Sequence, residues 1–94
     1  MRNYETMIIL DPTLESGQLE QQTEKIKQII SSDGEVVSVD EWGRRELAYP
    51  IRKHNEGYYI VIQFKANPSV SQQLNTEFRM NQAILRGMVV REED

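Results

Sequence analysis

The sequence predicts an α+β fold of the ferredoxin-like, split β-α-β kind: four antiparallel strands in one sheet, with two helices on one of its faces. Three observations carry that expectation. Four β-prone stretches and two stretches of helical periodicity follow one another in the order β-α-β-β-α-β. Turn residues separate them: Asp11-Pro12, Ser31 to Gly34, Arg52 to Gly57, and Asn67-Pro68. The right-handed crossover rule then sets strands one and three side by side in the middle of the sheet. The 94 residues are expected to form a single domain, 1–94, burying a modest core without disulfide or metal.

Tyr4–Leu10 is β-prone and turns apolar toward its end, where Asp11-Pro12 stops it. Leu14, Leu19, Ile26, Ile29 and Ile30 recur at roughly helical spacing among Glu, Gln and Lys. That predicts an amphipathic helix from Glu15 or Ser16 to Ser32, with Gly34 in the left-handed position that closes it. Glu35–Trp42 is a valine-rich second strand. Gly43 interrupts it as a bulge or bend, the strand resumes to about Ile51, and Pro50 marks it as an edge. Arg52–Gly57 reads as a polar turn, and Tyr58–Ala66 is the most strand-like stretch of the chain. Ser69 is placed to cap a second helix from Val70 to about Asn81, in which Val70, Leu74 and Phe78 stand one turn apart. Ala83–Glu92 forms the last strand, and Glu93-Asp94 are expected to fray.

The hydrophobic fraction of 38% and charged fraction of 28% suit a soluble, rather polar domain. The absence of cysteine removes disulfides, thiolate metal sites and cysteine nucleophiles together. The N-terminal apolar run is too short for a transmembrane helix and lacks a cleavage region, so a cytoplasmic protein is expected. The net charge of −4 conceals an asymmetry: residues 1–43 carry −6 and residues 44–94 carry +2. Two segments, 44–54 and 79–91, are each +3. Local charge is therefore the informative quantity.

No catalytic constellation emerges. His54 is the single histidine, in a turn, with no titratable group tied to it by spacing. Asp40 and Glu41 are neighbours in a strand and point to opposite faces. There is no Gly-rich phosphate loop, and no metal, cofactor or small-molecule substrate is expected.

Strand alternation divides the apolar residues into two sets. Ile8, Leu10, Ile60, Ile62, Phe64 and Val89 are assigned to the helix-covered face. Met7, Ile9, Tyr59, Val61, Met88 and Val90 then fall on the other face, where a solvated sheet should be polar. A contiguous apolar patch of this kind marks a partner surface. Arginines interleave with aromatics at Arg2 with Tyr4 and at Trp42 with Arg44 and Arg45, while Arg52 and Lys53 add charge. These are residue types that meet phosphates and stack on bases. "YYIVIQF" lacks the Gly-aromatic pattern of the RNA-recognition motif, so RNA binding through that motif is not expected.

"RNYETMIIL", "EWGRRELAYPI" and "FRMNQAILRGMVVR" resemble ribosomal protein six of the bacterial small subunit, and the resemblance covers essentially all of 1–92. It implies the ferredoxin-like fold reached above and a non-enzymatic structural role. It also implies a heterodimer with small-subunit ribosomal protein eighteen that binds the central domain of the small-subunit ribosomal RNA during assembly. Some members carry a long acidic C-terminal tail, and a tail-dependent role is not expected of a chain ending at Asp94. The resemblance makes Arg2, Arg79, Arg86 and Arg91, with Tyr4 and Lys53, candidate RNA contacts. It makes Met7, Ile9, Trp42, Arg44, Arg45, Tyr59, Val61, Met88 and Val90 a candidate protein-partner surface. Arg44 and Arg45 are adjacent in an extended segment, so they point opposite ways, and either partner or RNA can use one of them.

Two other readings use the same fold. A stand-alone ligand-binding or regulatory domain would homodimerise through its open sheet face, and would be recognised by a stable homodimer indifferent to protein eighteen. An acylphosphatase-like enzyme would need an Arg in its first turn, and Leu10–Gly17 holds no basic residue.

Overall fold

The computed structural model describes residues 1–92. Glu93 and Asp94, whose fraying the sequence predicts, lie outside them. The element order is β1 (Arg2–Leu10), α1 (Ser16–Ser31), β2 (Gly34–Ile51), β3 (His54–Ala66), α2 (Pro68–Met80) and β4 (Ile84–Arg91). All ladders are antiparallel and the strand order is β2-β3-β1-β4, so β1 and β3 form the middle of the sheet as expected.

Both helices lie on one face because their apolar residues recur one turn apart. α1 turns Leu19, Thr23, Ile26 and Ile30 inward, and α2 turns Val70, Leu74 and Phe78. They pack on Tyr4, Ile8, Leu10, Ile60, Ile62, Phe64 and Ile84. Each such side chain taken out of water contributes about 1.5–3 kcal/mol before entropy is charged against it. The two buried polar side chains are satisfied: Thr6 Oγ1 donates to the Met88 carbonyl at 2.8 Å, and Thr23 Oγ1 to the Leu19 carbonyl at 3.0 Å.

The helix ends differ from the sequence expectation in two places. α1 closes at Ser32, whose N–H reaches the Gln28 carbonyl at 3.1 Å; Gly34 opens β2 instead and has no left-handed backbone. α2 begins at Pro68 with Asn67 as its cap residue, not at Val70 with Ser69. Proline suits a first helical position, where no N–H partner is needed. Asn67 Nδ2 and Ser69 Oγ both donate to the Asp33 carboxylate, at 2.9 and 3.3 Å, which ties the start of α2 to the end of α1.

β2 runs 18 residues, with its pairing to β3 shifting between Val36 and Ser38, Glu41 and Gly43, and Glu46 and Ile51. Gly43 has φ +81°, which makes it the bulge the sequence predicts. The expected six-residue turn contracts to Arg52 and Lys53, with φ of 48° and 69°, because His54 already pairs with Ile51. Two positive φ values suit the right-handed twist of a hairpin, but they favour Asn and Gly. Arg52 is held there by Nη1 donating to the Gln82 carbonyl at 2.9 Å. Lys53 is exposed, and its Cβ makes the left-handed conformation costly. Lys53→Gly is therefore expected to raise the free energy of unfolding by about 1 kcal/mol in urea titrations. An unchanged or lower midpoint would contradict the turn geometry.

Candidate nucleic-acid and protein interface

Residues in register across the ladders share a face, which fixes the open side of the sheet row by row. One row is Val61, Met7 and Met88; the next is Tyr59, Ile9 and Arg86; a third is Gln63, Glu5 and Val90. The helix-free face thus carries the set that strand alternation assigned to it. It is not uniformly open. Met88 and Val90 are 47% and 54% exposed, whereas Ile9 and Val61 are buried, apart from the helix-side core. Ile9 and Val61 therefore form the floor of this face rather than its exposed rim.

The burial of Ile9 has a local cause. After Glu46, β2 leaves its ladder and rejoins only at Ile51. Leu47, Tyr49 and Ile51 then stand with Met7, Ile9, Tyr59 and Met88 around a cavity of about 200 Å³. Tyr49 reaches the far edge strand, where its hydroxyl accepts from Arg86 Nη1. The sequence reading missed this wall. The signal was the apolar alternation of Leu47, Tyr49 and Ile51.

Arg44 and Arg45 diverge as their adjacency requires. Arg44 Nε and Nη2 donate to the Pro12 carbonyl at 3.2 and 3.1 Å, so its guanidinium is engaged within the chain. Arg45 lies 5.1 Å over the Trp42 ring, which stacks on Tyr59 at 6.2 Å and 11°. The Trp42 indole N–H donates to Asp40 Oδ2 at 3.0 Å. The bulge at Gly43 puts Trp42 and Arg45 on one side. Nearby, burial pushes the Tyr58 hydroxyl above its ordinary pKa, and the charge of Glu41 adds to the effect.

The basic residues gather elsewhere. Arg91 pairs with Tyr4 across β1 and β4, and Arg2 lies two residues further along β1. Arg86 is on β4, and Arg79 is in the last turn of α2, where a cation suits the helix dipole. Arg2 and Arg91 thus lie toward one end of the β1–β4 pair, and Arg86 lies on the open face in the row of Ile9. Lys53 sits at the hairpin tip beside Arg52, whose guanidinium reaches Gln82 on the α2–β4 loop. Tyr4 departs from the sequence expectation. It is 6% exposed and stacks on Phe64 at 5.3 Å and 18°, inside the helix-covered core. Its ring face is occupied by Phe64, so it is not free to stack on a base. His54 Nε2 lies 3.8 Å from Asp11 Oδ2. The Thr13 hydroxyl and N–H donate to Asp11 Oδ1 at 2.6 and 2.8 Å, holding this carboxyl below the usual range against the opposing effect of burial. Among the described residues no cluster of His, Cys, Asp and Glu is arranged to hold a metal ion, and no helix is long and apolar enough to cross a membrane.

This chain matches the model of the family described as Ribosomal protein S6 over residues 3–91. It is similar to the small ribosomal subunit protein bS6 of Clostridium novyi, 52% identical over 94 residues, covering 99% of each chain. It is also similar to the protein of that name from Mycolicibacterium paratuberculosis, 45% identical over 92 residues, covering 97% of this chain and 96% of the other. Among solved structures, 30S ribosomal protein S6 from Thermotoga maritima superposes with a TM-score of 0.91 at 34% identity, covering 97% of this chain and 87% of that one.

Proposed function

The chain belongs to the ribosomal protein S6 family, and from that premise we propose that it binds the central domain of the small-subunit ribosomal RNA as a heterodimer with small-subunit ribosomal protein eighteen. It is a non-enzymatic component of the small ribosomal subunit. The observation that supports the finer reading is a division of labour between two surfaces. The exposed apolar side chains Met88 and Val90 lie on the open sheet face, beside the Arg45–Trp42–Tyr59 stack. Arg2, Arg79 and Arg91 stand apart from those side chains, Arg86 borders them on the open face in the row of Ile9 and Tyr59, and no carboxylate occurs from Phe78 to Arg91. A protein and an RNA can thus be held at once, one by desolvation of apolar surface and the other by phosphate contacts.

The net charge of −4 sets the order of events. α1 exposes Glu20 and Glu24, which repel an RNA backbone. A basic partner offsets that repulsion, so free RNA binding is weak and the heterodimer binds far more tightly. An isolated chain with the affinity of the pair would contradict this. Arg86→Ala with Arg91→Ala is expected to keep the protein complex and weaken RNA binding. Each lost phosphate contact flattens the slope of log affinity against log salt by about 0.7–0.9. The check is a salt titration of the pair on an rRNA fragment. A wild-type slope and affinity would remove these arginines from the interface. Arg86 also bonds Tyr49, so an Arg86→Lys variant separates loss of charge from loss of that strut.

A further inference from the structure

We propose that the outward stripe of α2, formed by Gln72, Asn75, Thr76 and Arg79, reads the ribose-phosphate backbone of an A-form RNA helix across its minor groove. This rests on the rRNA reading above and adds a contact surface that the arginines of β4 do not supply. The four residues recur at i, i+3, i+4 and i+7, so they align on one side of the helix over roughly 10 Å. They border a groove of about 630 Å³ that runs between α2 and β4. Its floor is the Phe78 ring and the backbone of Gly87. A Cβ at Gly87 would stand 2.5 to 2.8 Å from three atoms of that ring, so glycine lets the ring lie directly against the β4 backbone.

Charge selects the occupant. Glu77 is the only carboxylate on α2, and it is turned away toward α1. There it pairs with Lys25 Nζ at 3.0 Å and accepts from Asn81 Nδ2 at 2.7 Å. The outward stripe therefore meets an anion with amides, a hydroxyl and one guanidinium. The opposite helix, α1, exposes Glu20 and Glu24 and is closed to RNA by the same criterion. RNA suits the stripe better than a protein does, because interface cores are rich in aromatic and other apolar side chains and the stripe offers none. The wide, shallow minor groove of RNA displays 2′-hydroxyls, each a donor and an acceptor. Side-chain amides match both roles. Thr76 Oγ1 already donates to the Gln72 carbonyl at 3.1 Å, which leaves its lone pairs to accept from a 2′-hydroxyl. Arg79 supplies the phosphate contact.

The test uses the heterodimer with protein eighteen and an rRNA fragment, titrated at several salt concentrations. Gln72→Ala, Asn75→Ala and Thr76→Ala combined are expected to weaken RNA binding on the order of ten-fold with an unchanged salt slope, since no charge is lost. Arg79→Ala is expected to weaken binding and flatten the slope by about one. On 2′-O-methylated RNA the penalty of the triple variant should shrink, because the groups it contacts are already blocked. Alanine favours a helix, so folding is preserved, and circular dichroism verifies it. If the triple variant binds RNA as the wild type does while Arg86→Ala with Arg91→Ala weakens it, the inference fails and the proposed function stands. If the triple variant instead loses protein eighteen, the stripe is a protein surface and the inference again fails. If the wild-type pair does not bind the fragment at all, the proposed function itself fails.

Discussion

Phe64→Ala is expected to lower the free energy of unfolding by about 3–5 kcal/mol, read as a fall in the midpoint of a chemical denaturation curve. Phe64 sits in a central strand at 1% exposure, and its ring stacks on Tyr4. Truncation removes the transfer energy of the ring, opens a cavity and strips Tyr4 of its stacking partner. Domains of this size hold roughly 5–15 kcal/mol in all, so the variant stands near the limit of folding. The control lies one residue away. Gln63 is exposed on the opposite face of the same strand, and Gln63→Ala should change stability by only about 0.5 kcal/mol. A cost below about 1.5 kcal/mol for Phe64→Ala would refute the placement of this pair at the centre of the core.

The position of Tyr4 is legible in the sequence. It has the parity of Thr6, Ile8 and Leu10, the set assigned to the helix-covered face, and only its neighbour Arg2 suggested an RNA platform. Element order and both faces follow from period and parity, and the central place of β1 and β3 from the crossover rule, because a sheet with one covered side leaves each strand little choice. What could not be read was decided by tertiary contacts. Asn67-Pro68 marks a strand end and equally a helix start, and the choice rests on Asp33, 34 residues away, receiving the Asn67 amide. The two-residue turn at Arg52 and Lys53 lacks the Asn-Gly signal of its type, since distant contacts such as Arg52 to Gln82 hold it. Where Leu47 to Pro50 leave the β3 ladder, Tyr49 meets Arg86 at the other edge of the sheet. A local pattern carries no information about that partner.

The exposure pattern also decides how the protein-partner surface can be tested. Met7→Asp with Val61→Asp is a poor probe, because Val61 is 7% exposed and a carboxylate there would cost folding as well as binding. Met88 and Val90 avoid that confusion. They are 47% and 54% exposed, and the Thr6 hydroxyl bond goes to the Met88 carbonyl rather than its side chain. Serine suits position 90, since Glu5 stands opposite and an aspartate would add like-charge repulsion. Met88→Asp with Val90→Ser is therefore expected to stay folded, within about 1 kcal/mol of the wild type. It should weaken the complex with protein eighteen by about 100-fold or more, the scale of a hot spot turned from apolar to charged. Titration calorimetry with protein eighteen reads the loss directly. RNA binding by the mixture should fall in step, because the basic partner no longer masks the acidic α1. Arg86→Ala with Arg91→Ala should show the reverse pattern, with the protein complex kept and RNA lost. Protein eighteen binding Met88→Asp with Val90→Ser at wild-type strength would place the partner off the open face and leave those two exposed side chains without a role.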